Sequence, residues 1–209
     1  MRTRRKKMNK GGVFIISGPS GSGKDTVLAE LFRNKPDLKF SISSITRDMR
    51  AGEREGEKYH FITRDEFEEM IENDRLLEHN EFVGNYYGTP REPVEKAVAA
   101  GDDIIIEVDV NGAAQIRKKL PDAVSIFIMP PSFAELKRRL VGRGTDSAAA
   151  IEKRLNSALG EIKRANEYDY IIVNDSITAA ADDIMSVILS SRFKTDRQKE
   201  IINEVLKEC

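Results

Sequence analysis

Gly18-Pro19-Ser20-Gly21-Ser22-Gly23-Lys24 keeps the spacing G-x-x-x-x-G-K, the mark of a loop that cradles phosphate. The residue types explain the chemistry. Glycines let successive backbone N–H groups point inward at phosphate oxygens, and a helix starting directly behind them adds the positive end of its dipole. Lys24 brings a mobile point charge for the β- and γ-phosphates of a nucleoside triphosphate. The next position departs from the motif, which carries Ser or Thr there: it is Asp25, followed by Thr26. The hydroxyl that reaches Mg²⁺ in such loops is thus displaced by one residue or absent. Asp25 acting through water and Thr26 acting directly both stay open as ligands.

A phosphate loop leaves the acceptor undefined: water, a nucleotide or another molecule. A second set of residues narrows it. Ser43-Ser44-Ile45-Thr46-Arg47-Asp48-Met49-Arg50 puts two arginines three apart beside several hydroxyls. Arginine forks suit a second, dianionic phosphate, with surface pairing to Asp48 or Glu53 as the plain alternative. Tyr59, Glu78 and Gly84-Asn85-Tyr86-Tyr87-Gly88-Thr89 follow. Arg138, Arg139, Arg143 and Arg154 crowd a later stretch, and Arg143 lies between Gly142 and Gly144, whose backbone freedom suits a hinge. The bland alternative for that stretch is a solvated helix face.

These groups need elements to hold them. The apolar run Val13–Ser17 predicts a buried strand ahead of the glycines, and Asp25–Asn34 carries apolar residues at helical spacing. Further strands are expected at Lys39–Ile45, Lys58–Thr63, within Leu76–Tyr87, at Asp103–Val110, Val124–Met129 and Tyr168–Val173. Thr63-x-x-Glu66 and Ser132-x-x-Glu135 are capping boxes opening helices. Helices are also expected at Pro90–Ala100, Ala113–Lys119, Ser147–Asn166, Thr178–Ser190 and Thr195–Lys207. Apolar strands alternating with helices argue an α/β fold with a parallel sheet covered on both faces. Residues 40–95 interrupt that alternation with charge, Gly and Tyr, and read as an inserted β-rich lobe.

Composition sets the outer limits. In 209 residues, Lys+Arg is 34 and Asp+Glu is 35, a net charge of −1. Six of the bases stand in the first ten residues, so 28 bases face 35 acids in the remainder, a balance of −7. A diffuse polyanion-binding surface is therefore not expected. No apolar run approaches the roughly 20 residues of a membrane span, and the charged N-terminus lacks the apolar core of a secretory signal. One cysteine, Cys209, excludes a disulfide within the chain, and with two histidines it leaves little for a His/Cys metal site. A cytoplasmic protein is expected.

The strings SGPSGSGKDTV, SSITRDMRAGE, GEKYHF, GNYYGTP, IIIEVDVNGAAQI, GRGTDS and IIVND stand in order across roughly residues 12–190, and together they resemble guanylate kinase. The resemblance implies a P-loop three-layer fold with a parallel central sheet, an inserted β-rich GMP-binding lobe and a helical lid. It implies Mg²⁺-dependent transfer of the ATP γ-phosphoryl group to GMP, giving ADP and GDP. It implies that Ser43 and Thr89 meet the guanine or its surroundings, and that Glu78 accepts from guanine N1–H and the 2-amino group, a donor pair that adenine lacks. Arg47, Arg50, Tyr59 and Tyr87 match the GMP phosphate clamp. Glu107 and Asp109 close a central strand at the sheet's carboxyl edge, where acids face nucleotide and metal. The first of that pair is usually Asp in the family, and here it is Glu107. Arg139, Arg143 and Arg154 match lid residues that reach the transferred group, and Asn174 matches a position near the ATP adenine.

The segments implied are a basic, disordered tail over 1–11, a core of 12–39, 96–137 and 158–209, a GMP lobe of 40–95 and a lid of 138–157. Met8 is an alternative start, since the family pattern begins just after it. ATP and GMP are the expected partners, with no obligatory nucleic acid and no membrane. The metal would fall to Asp25, Thr26 and Asp109, in part through water. Three rivals compete: a phosphopeptide-binding scaffold of the same fold, a P-loop kinase with another acceptor, and nucleic-acid binding by the tail. The intact Gly23-Lys24 pair, and Glu78 with Tyr87 and Thr89, argue against the first two.

Overall fold

The structure, a computed structural model, describes residues 10–142 and 147–207. Arg143 and most of the basic tail lie outside the described residues. The elements in chain order are β1 (Val13–Ser17), α1 (Lys24–Asn34), β2 (Lys39–Phe40), β3 (Ser43–Ile45), β4 (Tyr59–Phe61), α2 (Arg64–Glu72), β5 (Leu76–Phe82), β6 (Asn85–Pro90) and α3 (Arg91–Ala99). They continue with β7 (Ile104–Glu107), α4 (Val110–Lys119), β8 (Val124–Met129), α5 (Phe133–Val141), α6 (Ala148–Ile162), β9 (Tyr170–Val173), α7 (Ile177–Ser191) and α8 (Lys199–Lys207).

One sheet runs β2-β7-β1-β8-β9 with every neighbouring pair parallel. Side chains alternate across β1 as a strand requires. Phe14 and Ile16 pack with Val27, Leu28 and Leu31 of α1 and with Ile184 and Ile188 of α7, while Ile15 packs on the other face with Val94, Ala113 and Ile116. Both faces are thus covered by helices, as the buried apolar strands predicted. From β1 the chain runs outward one way to β2 and β7 and the other way to β8 and β9. That reversal opens a crevice at the carboxyl ends of the strands, and the glycine loop follows β1 into it.

A second sheet runs β4-β3-β6-β5, with β3 parallel to β4 and antiparallel to β6, and β5 antiparallel to β6. The predicted strand Lys39–Ile45 is therefore two strands. Ser41 N–H still donates to Ile105 in the main sheet, and from Ser43 the chain pairs with β4 and β6. Apolar periodicity marks strands without saying which sheet claims them.

The expected strand Asp103–Val110 ends at Glu107 because Asp109 turns the chain: its Oδ1 accepts the N–H groups of Asn111 at 2.9 Å and Gly112 at 2.8 Å, capping α4 three residues ahead of its predicted start. Both capping-box serine and threonine residues cap as predicted, Thr63 with the reciprocal Glu66 bond and Ser132 toward Glu135. The expected helix Ser147–Asn166 stops at Ile162, and a 3₁₀ turn at Ala165–Glu167 follows. Another 3₁₀ turn, Thr195–Gln198, precedes α8.

Buried Asp103 ties the two ends of the described chain together. It accepts from Gly12 N–H at 2.8 Å, from Arg192 and from Arg197, and Arg197 also donates to the Lys10 carbonyl at 3.0 Å. Lys10 and Gly11, the last residues of the expected tail, are thus bonded to the body, Gly11 through Val98. Among the described residues, no helix is long and apolar enough to cross a membrane.

Candidate active site

The loop between β1 and α1 turns on two left-handed residues, Gly21 at φ 90° and Gly23 at φ 86°, a region that only glycine enters cheaply. Each is also tightly walled. A side chain at Gly21 would meet Leu136 and Leu140 of α5, and one at Gly23 would strike the Asn174 amide. The loop is held from behind by its carbonyl at Ser22, which accepts from Asn174 Nδ2 at 2.7 Å and from Arg139 Nη1 at 3.0 Å. Arg139 also donates to the Asn174 carbonyl at 2.9 Å and to Glu135 at 2.7 Å. Arg138 and Arg139 hold the Glu135 carboxyl down at about 2. Arg139 and Asn174, expected beside substrate, here join the phosphate loop to α5 and to the end of β9. Asn174 is buried, while Arg154 sits half-buried on α6. Ser20 and Thr26 are exposed at the loop, and Gly18 and Pro19 are buried.

In front of the loop, Lys24 Nζ pairs with Glu107 Oε1 at 2.8 Å. The other Glu107 oxygen lies 3.4 Å from Lys58 Nζ, which also donates to Asp25 Oδ1 at 2.7 Å. Burial works against a charged Lys58, but the Asp25 and Glu107 carboxylates outweigh it and raise its pKa. Burial likewise opposes the Asp25 carboxylate, which Lys58 and Lys24 nonetheless hold below its ordinary value. Lys24, Lys58 and Glu107 line a hollow of about 170 Å³ together with Ser43, Tyr59 and Asp109.

A second hollow of about 360 Å³ shares Ser43, Tyr59, Glu107, Val108 and Asp109 with the first and extends to Glu78, Asn80 and Tyr87. Glu78, on β5, is only 5% exposed and accepts from Thr89 Oγ1 at 2.7 Å across the β5–β6 pair. Burial first, and then the Asp109 charge, push its carboxyl up to about 7. Space for it comes from Gly112 on α4, where a Cβ would stand 2.8 Å from Glu78 Oε2.

Arg47 lies against Tyr59, which lines both hollows. Its guanidinium donates a fork to Glu53, at 2.7 and 2.6 Å, and lies over the rings of Tyr59 and Phe61. Glu53, and after it Tyr87, raise the Arg47 pKa, and Arg47 holds Glu53 down at about 2. The pairing with Glu53 weighed against the phosphate reading is thus real. Arg47 Nε is buried with no hydrogen-bond partner, so one donor of the fork is unspent. Arg50 is exposed, and its backbone N–H joins the same Glu53. Burial raises the Tyr59 pKa.

The donors available to a cation are oxygens, the kind Mg²⁺ takes, and few, as suits an ion that keeps waters and phosphate ligands. Asp25 and Thr26 stand exposed in the first turn of α1, and Asp109 Oδ2 stands 3.5 Å from Asn80. Asp109 Oδ1 is spent capping α4. Among the described residues, no group of three or more His, Cys, Asp or Glu gathers for a metal held by protein alone. The residues present fit an ion held partly by substrate.

Two contributors escaped the sequence reading. A carboxylate at Asp25, where a hydroxyl was expected, was the signal that a cation must face it, and Lys58 is that cation. Gly112 inside a helix costs about 1 kcal/mol against alanine, which signals a packing reason.

Comparison with known proteins follows the same geometry. A family model described as guanylate kinase matches residues 10–191. A guanylate kinase of Desulfitobacterium hafniense is 45% identical over 199 residues, covering 95% of this chain and 100% of the relative. One from Escherichia coli K12 is 47% identical over 195 residues, covering 92% and 94%. The crystal structure of guanylate kinase from Anaplasma phagocytophilum superposes with a TM-score of 0.74 at 37% identity, covering 90% of each chain. With a phosphate loop opening onto a buried carboxylate in an inserted sheet, and relatives matched along almost their whole length, the chain belongs to the guanylate kinase family.

Proposed function

We propose that this chain transfers the γ-phosphoryl group of ATP to GMP, or to dGMP, giving ADP and GDP. The observation that carries this reading is Glu78, a buried carboxylate with Thr89 at its side, lining a hollow that continues into the one lined by Lys24. When ionised, that carboxylate accepts from guanine N1–H and the 2-amino group. Adenine offers no such pair and would leave the buried charge unmatched, which is how a polar site rejects an analogue.

In this reading a phosphate oxygen of GMP attacks the γ-phosphorus of ATP while the bond to the β–γ bridging oxygen breaks, and ADP leaves. No side-chain nucleophile is needed, because charge spreads over the equatorial oxygens and catalysis is positioning plus cation placement. Gly18 to Gly23 cradle the triphosphate with backbone N–H groups, and Lys24 moves from Glu107 to the phosphates. Arg47, Arg50, Tyr59 and Tyr87 clamp the GMP phosphate, with Ser43 and Asp109 beside it. Glu53 orients the Arg47 fork. Arg139, Arg154 and Arg143 belong to the lid side, Arg139 through the Ser22 carbonyl. Asp25, Thr26 and Asp109 would hold Mg²⁺, directly or through water, and the ion would neutralise phosphate charge. The assignment divides the chain into a core (12–39, 96–137, 158–209), a GMP lobe (40–95) and a lid (138–157), and puts it in the cytoplasm.

The test is ADP release with ATP and each of GMP, dGMP, AMP, CMP and UMP. GMP should give the highest kcat/KM. A preference for AMP would overturn the reading of Glu78.

A further inference from the structure

Lys58 lies immediately ahead of β4, and its carbonyl accepts the Ser43 N–H at 3.3 Å, so its backbone is fixed to the edge of β3. Its ammonium group nevertheless reaches the other sheet, 2.7 Å from Asp25 on α1 and 3.4 Å from Glu107 at the end of β7. Lys24 holds the second oxygen of the same Glu107 carboxylate at 2.8 Å. Two ammonium groups, one from each lobe, therefore converge on a single carboxylate. Like charges so close repel, and they stay only where anions lie between and beside them.

The ion pair is a weak reason for its own existence. The side chains of Lys58 and Asp25 are 47% and 64% exposed, and bridges so exposed add little stability. Asp25 also breaks the phosphate-loop motif at a position where the motif spends a hydroxyl. The arrangement makes sense if the anions hold the place of substrate. A phosphate group offers more charge and more acceptor oxygens than Glu107, and the hollow in which the two lysines meet is continuous with the one that holds Glu78.

Resting on the proposed reaction and deepening it, we propose that Lys58 is a phosphate-binding cation of this site, brought to the transfer centre by the acceptor lobe, with Asp25 as its seat in the nucleotide-free protein. Lys58 touches the phosphate of the bound monophosphate, and Asp25 sets where the ammonium group waits.

Calorimetric titration without ATP tests this, with GMP and with guanosine, which lacks the phosphate. Lys58→Met should weaken GMP binding roughly ten- to a hundredfold, the loss of one charged hydrogen bond, and leave guanosine binding unchanged. Lys58→Arg should regain most of the lost affinity. Asp25→Ser removes the seat and not the cation, so its GMP affinity should stay above that of Lys58→Met. Unchanged GMP affinity in Lys58→Met would overturn the proposal. So would a loss shared by guanosine, which marks a merely structural role, or an equal loss in Asp25→Ser, which marks a tether. A parent protein that fails to bind GMP at all would instead overturn the proposed reaction.

Discussion

Thr89 Oγ1 donates to Glu78 Oε1 at 2.7 Å across the β5–β6 pair, where the carboxylate is buried at the wall of the larger hollow. One oxygen is oriented by the hydroxyl, and the other faces Gly112. In the proposed reaction, the charge state of this carboxylate governs recognition of the base.

Burial pushes the Glu78 carboxyl up to about 7. Guanine needs it ionised, so the KM for GMP should fall as pH rises through about 7, while the KM for ATP stays level. Glu78→Gln should raise the GMP KM about ten- to a hundredfold and flatten this profile. Stability runs the opposite way. A carboxyl raised above its unfolded value of 4.5 contributes stability that is complete below that value and lost as pH climbs through about 7. Initial rates and thermal unfolding from about pH 5 to pH 8 check both slopes.

Gly112→Ala places a methyl 2.8 Å from Glu78 Oε2, so the carboxylate must rotate. The expected result is a GMP KM raised about tenfold, with little change in the ATP KM, since loss of one aligned charged hydrogen bond is worth about 1.5 kcal/mol or more. Steady-state kinetics with each substrate varied in turn decide it. An equal loss for both substrates would mean that α4 itself had moved.

Asn174→Ala removes the buried amide that holds the Ser22 carbonyl. Arg139 still donates to that carbonyl, so the stability loss should be modest, about 1–3 kcal/mol. The phosphate loop should bind ATP more weakly, with GMP affinity preserved. Denaturant unfolding and separate ATP and GMP titrations give the comparison.

Asp103→Ala leaves Arg192, Arg197 and the Gly12 N–H without their shared acceptor. Removing one partner from a buried charge pair costs about 3–5 kcal/mol, and the half-exposed Arg192 puts the expected loss at the low end, about 3 kcal/mol. The unfolding midpoint in urea should drop sharply, while kcat at low temperature should hold, because Asp103 lies at the far end of β7 from Glu107.

The residues themselves determined much of this protein. G-x-x-x-x-G-K marked the loop because a left-handed turn and close packing admit glycine alone at its second glycine, Gly23, as they also do at Gly21. Apolar runs such as Val13–Ser17 declared the parallel sheet because a strand buried on both faces has no polar side to show. Caps at Thr63 and Ser132 were legible because they satisfy backbone groups one turn away.

Only the tertiary structure decided what joins across the chain. The split of Lys39–Ile45 between two sheets depends on partners far along the sequence. Asn174 and Arg139 converge on Ser22 from positions more than 100 residues away. Lys58 meets Asp25, 33 residues earlier, and Glu107 in the other sheet. Helix and strand periodicities, like caps, are local regularities that a sequence carries on its face. Which charge faces which is fixed by chain folding over long separations, and the long-range geometry turns a glycine loop and a lone glutamate into one continuous site.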